Sequence, residues 1–183
     1  IKGFDTLIPA LGLLKRRGVA FRCTVIGEGP QRKALEAQIA AEGVADRVAL
    51  VGAKPQESVR AALNEATVFV MPSVTTPEGN QDGIPVALME AMATAGAVVS
   101  TQVSGIPELV HHERNGLVVP PGDARALADA LQRLLGDEAL RHRLGLAARA
   151  AVAAEFDARH EADRLLAQIG VRCVAPQGLA HAR

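Results

Sequence analysis

Short apolar runs alternate with helical patterns along almost the whole chain. Leu7, Ile8, Leu11 and Leu14 recur at helical spacing over residues 5–17, closing on Lys15-Arg16-Arg17-Gly18, basic residues then glycine, as a helix C-terminus prefers. Residues 21–26 read as a buried strand and Gly27-Glu28-Gly29-Pro30 as a turn, with Pro30 opening a helix through about Glu42. Further strands are expected at 48–51, 68–71, 97–100 and 117–119, and further helices at 56–65, 85–94, 123–135, 137–154 and 157–169. Strands that are apolar throughout and separated by helices imply a parallel sheet covered on both faces. With right-handed crossovers this becomes an α/β, doubly wound, Rossmann-like sandwich. Such sheets bind ligands outside the carboxyl ends of their strands, so the turns at 27–30, 52–55, 72–84 and 101–108 should share one functional edge. Residues 1–170 are expected to form this domain with its C-terminal helices, and 171–183, with Pro176, Gly178 and scattered charges, a flexible tail.

Composition narrows the chemistry. The chain of 183 residues suits one domain, and its 20 basic residues balance 20 acidic ones, leaving no electrostatic footprint for nucleic acid. The aromatics are four Phe, with no Trp or Tyr, which disfavours recognition by stacking on aromatic platforms and leaves it to polar groups and backbone amides. Two cysteines make no disulfide framework. Cys23, in the apolar run Phe21–Ile26, reads as a small buried hydrophobe, and a reducing cytoplasmic setting is expected. No apolar run approaches the ~18 residues of a membrane span. The chain opens at Ile1-Lys2-Gly3-Phe4 without Met or a signal peptide and reads as a piece of a longer protein.

The turn Gly27-Glu28-Gly29-Pro30 stands where a dinucleotide fingerprint would, but Arg32 occupies the place of its third glycine and Pro30 removes an amide. That argues against a nicotinamide-dependent oxidoreductase. Residues 72–94 are more informative. Pro85 suits a first helical position, and the free amides of Gly83, Ile84 and Val86 would then form an anion site at a helix start. Glu90 lies in an otherwise apolar helix, where a buried, unpaired carboxylate costs several kcal/mol. It must face water, pair with a cation, or hold a ligand. Asp82 precedes it by eight positions; on one helix that is roughly 12 Å along the axis and ~80° around it. A glycosidase pair needs carboxyl groups ~5–9.5 Å apart, so hydrolysis fits badly. The spacing suits an extended ligand with an anion in its middle, such as a nucleotide sugar. The plain structural alternatives are a solvated or ion-paired Glu90 and a helix N-cap at Asp82.

Lys2-Gly3-Phe4-Asp5, Val25-Ile26-Gly27-Glu28-Gly29-Pro30, Val48-Ala49-Leu50-Val51-Gly52, Met71-Pro72-Ser73, the stretch Asp82–Glu90, Ser104-Gly105-Ile106-Pro107-Glu108-Leu109-Val110 and Asn115–Gly122 occur in order. This ordered set resembles the C-terminal, donor-binding domain of the family 4 retaining glycosyltransferases, which have the GT-B fold, and it covers about residues 1–170. The run Asp82–Glu90 leans toward bacterial members that build exopolysaccharide or lipopolysaccharide.

The resemblance implies hexosyl transfer from a nucleotide-diphosphate sugar to a glycan or lipid-linked acceptor, with no metal or other cofactor; the chain has no Asp-x-Asp motif. It implies that Asp82 contacts donor-sugar hydroxyls, Glu90 the ribose hydroxyls, Gly83, Ile84 and Val86 the sugar and diphosphate through their amides, and Lys2 the diphosphate, while Lys54 borders the base. The family usually has Glu where Asp82 stands, so reach or sugar choice should differ. Gly96 is expected to take the left-handed cap after the helix.

The family's first strand, expected before Lys2 with a second basic phosphate ligand, is missing. So is the N-terminal, acceptor-binding domain, through which any peripheral membrane association would run. This chain alone is therefore expected to be inactive. An epimerase of the same fold and a non-catalytic nucleotide-binding domain are the alternatives. His111, His112, His142 and His160 read as surface residues, and Glu108 either reaches the site or caps the amides after it.

Overall fold

The computed structural model describes residues 2–81, 83–156, 162 and 164–167. The chain order is α1 (Phe4–Arg16), β1 (Cys23–Val25), α2 (Arg32–Ala41), β2 (Val48–Leu50), α3 (Gln56–Glu65), β3 (Phe69–Met71), α4 (Val86–Ala93), β4 (Val98–Thr101), α5 (Ile106–Leu109), β5 (Leu117–Val119), α6 (Ala124–Gly136) and α7 (Glu138–Glu155). In α1 the expected stripe Leu7, Ile8, Leu11 and Leu14 is buried, and Lys15 and Arg16 close its last turn, where cations complement the helix dipole. Asp123 and Asp137 cap α6 and α7 by accepting from the amides of Ala126 and Leu140. Of the helix expected at 157–169, the described residues 162 and 164–167 are helical; the remainder and the tail 171–183 lie outside the described residues. No helix among the described residues is long and apolar enough to cross a membrane.

Three expectations are corrected. Pro30 does not open α2: the N-cap is Gln31, and Pro30 lies in a turn closed by the Arg32 amide on Gly29 O at 3.3 Å. Pro85 is likewise the N-cap of α4 rather than its first residue, because its ψ of 125° leaves it extended. The left-handed conformation after α4 belongs to Ala95, at φ 60°. Gly96 is needed for space instead, since a Cβ there would stand 2.9 Å from Ala91 O.

Every observed strand pairing is parallel. Cys23, Thr24 and Val25 face Val48, Ala49 and Leu50, while β4 lies between β3 and β5 with Val99 opposite both Val70 and Leu117. Successive residues of β4 point to opposite faces. Val99 joins a core with Leu7, Leu11, Leu127 and Leu131 from α1 and α6, and Val98 joins a second core with Leu88 and Met92 from α4 and Ala148 from α7. The β3–β4–β5 sheet is thus covered on both faces, while in β1–β2 the expectation is corrected: the paired Thr24 and Ala49 are exposed, and α3, which has no buried residue, does not cover them.

The strands do not form one continuous sheet. β1 pairs only with β2, and β3 only with β4 among the described residues. Between β1 and β3 lies a cavity of about 630 Å³, lined by Cys23 and Val25 on one wall, Phe69 on the other, and by Leu11, Leu131 and Leu63 from the helices. Residues 2 and 3 sit at its carboxyl end. Lys2 borders Gly27, just beyond β1, and Gly3 lies so close to Pro72, just beyond β3, that a Cβ would be 1.8 Å from Pro72 O. Gly3 also has φ 66°, so both the space and the backbone require glycine. The break between β1 and β3 lies directly beside residues 2 and 3.

Candidate functional site

Because the strands within each sheet are parallel, the turns after β3 and β4 come together at one edge. Beyond the β3–β4 ladder, side chains continue the stitching: Ser100 Oγ donates to Met71 O at 2.7 Å and Thr101 Oγ1 donates to Ser73 O at 2.6 Å. Both hydroxyls are buried. They fix the carboxyl end of β3, from which the long 72–85 turn departs. That turn is closed on itself by the Thr76 amide on Asn80 O (2.8 Å) and the Gly79 amide on Thr76 O (2.9 Å). A hydrogen bond with Thr76 lowers the pKa of the exposed Glu78 carboxyl below its ordinary value. Ser73 Oγ is buried without a hydrogen-bond partner, an arrangement that costs ~1–3 kcal/mol.

The turn delivers the chain to α4. No side chain caps this helix, and the Leu88 and Met89 amides both reach back to Pro85 O, so the earlier amides have no helical partner. Among the described residues, the amides of Gly83, Ile84 and Val86 are unpaired. Gly83 is exposed with open space around it. The Ile84 side chain packs on Gly105, where a Cβ would stand 2.9 Å from Ile84 Cγ1. The Ile84 side chain therefore anchors this segment to the loop after β4. Val86 is 64% exposed, unusual for a valine.

Glu90 lies one turn below Val86, ~6 Å along the axis and ~40° around it. It is half-buried, and its carboxylate has no hydrogen-bond or ion-pair partner among the described residues. The ion-paired alternative is thereby removed. The helical measure from Asp82 to Glu90 is corrected as well: α4 starts only at Val86 and residues 83–85 ahead of it are not helical, so the ~12 Å separation along one helix does not apply. Asp82 itself lies outside the described residues.

The other predicted residues gather on the neighbouring turns. Lys2 is exposed and lines a groove of about 390 Å³ with Gly27, Glu28, Arg32 and Leu50. Lys54 is exposed in the turn after β2, beyond Gly52, whose φ is 73°. Lys2 and the α4 start are connected through Pro72, against which Gly3 packs.

Two residues of the groove, Glu28 and Arg32, were not singled out as functional. The signal was the i, i+4 spacing of Glu28, Arg32 and Glu36 across the turn into α2. Elsewhere, Glu108 caps nothing: it lies within α5, whose N-cap is Gly105 without a side-chain bond. His112 is exposed as expected, but its Nδ1 accepts from the Val118 amide at 3.0 Å, which places the ring's proton on Nε2 when it is neutral. Cys23 behaves as a small hydrophobe, with burial pushing its thiol up to about 11.

A family model described as glycosyl transferases group 1 matches residues 1–151. The chain is 48% identical over 168 residues to the amylovoran biosynthesis glycosyltransferase AmsK of Erwinia amylovora, covering 92% of this chain and 41% of that protein. It is 49% identical over 130 residues to the putative colanic acid biosynthesis glycosyltransferase WcaL of Escherichia coli K12, covering 71% of this chain and 32% of that one. This chain therefore spans well under half the length of these curated relatives. Among solved structures, sucrose-phosphate synthase from Thermosynechococcus elongatus superposes with a TM-score of 0.79 at 31% identity, over 92% of this chain and 42% of that one. Anabaena HepE in complex with UDP superposes with a TM-score of 0.81 at 22% identity, over 92% of this chain and 45% of that one, a likeness of fold.

Proposed function

The chain belongs to the glycosyl transferases group 1 family, and we propose that it is the donor-binding half of a retaining enzyme that moves a sugar from a nucleotide-diphosphate sugar to a glycan or lipid-linked acceptor. The observation that carries the reading is a half-buried, partnerless carboxylate, Glu90, one turn below a helix start whose amides are unmet. A partnerless acid in that setting suits a ligand rich in hydroxyls, and unmet amides at a helix start suit a diphosphate. Glu90 accepts hydrogen bonds from the ribose hydroxyls, and Asp82 from hydroxyls of the sugar. The amides of Gly83, Ile84 and Val86, with the Lys2 ammonium, stabilise the negative charge that grows on the diphosphate as the sugar leaves. Lys54 borders the base. No metal or other cofactor takes part.

The relatives AmsK and WcaL are named for amylovoran and colanic acid biosynthesis, which supports an exopolysaccharide acceptor for this protein. The acceptor is held by an N-terminal domain outside this chain, so the chain alone binds donor without transferring it, in the cytoplasm. A screen of nucleoside diphosphates and nucleotide sugars by thermal denaturation tests the reading. A ligand present at ~100 times its dissociation constant adds ~2.7 kcal/mol, which raises the Tm of a domain this size by about 5–10 °C. If none of these compounds raises the Tm, the proposal fails.

A further inference from the structure

Arg32 directs its guanidinium at three acceptors on three separate segments. Nη2 donates to Leu50 O at 3.0 Å, at the end of β2. Nε donates to Glu36 at 3.0 Å, one turn further along α2. Nη1 lies 3.8 Å from Glu28 Oε1 in the turn after β1. Glu28 in turn lies over Gly52, where a Cβ would be 2.6 Å from Glu28 Oε1. The main chain joins the same two turns: the Gly27 amide donates to Gly52 O at 2.9 Å, and the Val51 amide to Val25 O at 3.1 Å. Glu28 and Arg32 also line the 390 Å³ groove beside Lys2.

We propose that Arg32 is a positioning residue that locks the turn 27–31 to the turn 51–54 and thereby sets which nucleobase the donor site accepts. The inference rests on the donor-binding reading above, in which Lys54 borders the base. The lock needs a planar fork: one guanidinium can serve a carbonyl and two carboxylates in fixed directions, which a lysine ammonium on a flexible stem cannot reproduce. Arg32 and Glu28 are both well exposed, at 41% and 60% of the side chain, so their pairing adds little to global stability. A residue that contributes little to the fold can still fix the relative placement of two loops on which recognition depends.

Calorimetric titration of the 183-residue chain with UDP and with GDP, for the wild type, Arg32→Ala and Arg32→Lys, decides it. The expected result is that both variants change the ratio of the two dissociation constants by ~5–10-fold, the equivalent of one ordinary hydrogen bond. Their Tm should stay within about 2 °C of the wild type. Hydrogen exchange should quicken at the Gly27 and Val51 amides in both variants and stay unchanged in α6. If both nucleotides weaken by one common factor, or exchange at Gly27 and Val51 does not change, Arg32 is structural only and the inference is overturned. If Lys restores the wild-type ratio, the fork argument fails. A wild-type chain that binds neither nucleotide would instead overturn the donor-binding reading, and this inference with it.

Discussion

Gly145→Ala should destabilise the domain and loosen its donor site, although alanine is the better helix former. Gly145 lies on the buried face of α7, where an added Cβ would stand 2.0 Å from Ala95 O and 3.0 Å from Ala95 C. To reach even the shortest tolerated contact of 3.0 Å, helix and loop must part by about 1 Å. The neighbour is backbone rather than the far end of a flexible side chain, and Ala95 is already held at φ 60°, so neither side yields easily. Overpacking of this kind costs ~1–3 kcal/mol, offset by ~1 kcal/mol from the better helix propensity of alanine. Because the contact is backbone on backbone, the upper end applies: a net loss of about 2 kcal/mol and ~4–8 °C in Tm.

Gly136→Ala is the matched control. It ends α6, has no atom within 4 Å of a Cβ, and is not among the positive-φ glycines, so the same substitution should stabilise by ~0.4–1 kcal/mol. Urea denaturation of both variants, with unchanged m-values, measures the difference. Ala95 directly follows the C-cap of the helix that carries Val86 and Glu90, so Gly145→Ala should also weaken nucleotide-sugar binding. A Gly145→Ala variant as stable as the wild type would show that α7 can shift freely against Ala95, and the reasoning would fail.

Glu90→Gln should weaken nucleotide-sugar affinity by ~10–100-fold, as loss of a charged hydrogen-bond acceptor does, while stability stays within ~0.5 kcal/mol because no protein group depends on the carboxylate. Calorimetry showing unchanged affinity would return Glu90 to a structural role. Joining ~5–6 apolar, β-branched residues ahead of Lys2, a normal strand length, should fill the cavity between β1 and β3, raise the Tm and slow alkylation of Cys23, which lines that cavity. If both the Tm and the Cys23 rate stay the same, the cavity is not a strand slot.

The Cys23 thiol, raised from 9.0 to about 11 by burial, keeps its proton in the folded chain when the unfolded chain has lost it. Stability from this group is therefore complete below pH 9 and is lost as pH rises toward 11. Peptide-resolved alkylation should find Cys23 far slower in the folded than in the urea-unfolded chain at pH 9; equal rates would contradict the burial.

The order and type of the elements were legible in the residues alone, because periodicity, capping residues and turn chemistry act over about one helical turn or a few strand residues. Leu7, Leu11 and Leu14 had to share a face of α1. The strand Val98–Thr101 is buried at every position, whereas Val48–Leu50 leaves Ala49 exposed, and the parallel arrangement expected of apolar strands joined by helices puts the loops that follow them on one edge. The ordered motifs named the family for the same reason: each is a short local pattern, and their succession is preserved in one dimension.

Features that depend on groups far apart in the chain emerged from packing and not from local pattern. Where α4 begins is set by an extended Pro85 and by Ile84 resting on Gly105, twenty-one positions later in sequence, so the eight-residue helical measure from Asp82 to Glu90 could not survive folding. Whether Glu90 is ion-paired is a question about every cation that packing brings near, and local pattern does not answer it. The same holds for Arg32 joining Leu50, for Gly145 meeting Ala95, and for the cavity between two strands that are not neighbours in sequence. Periodicity tells each segment which face to bury; only the closed packing of all segments decides which polar groups are left without partners, and those are the groups a ligand can claim.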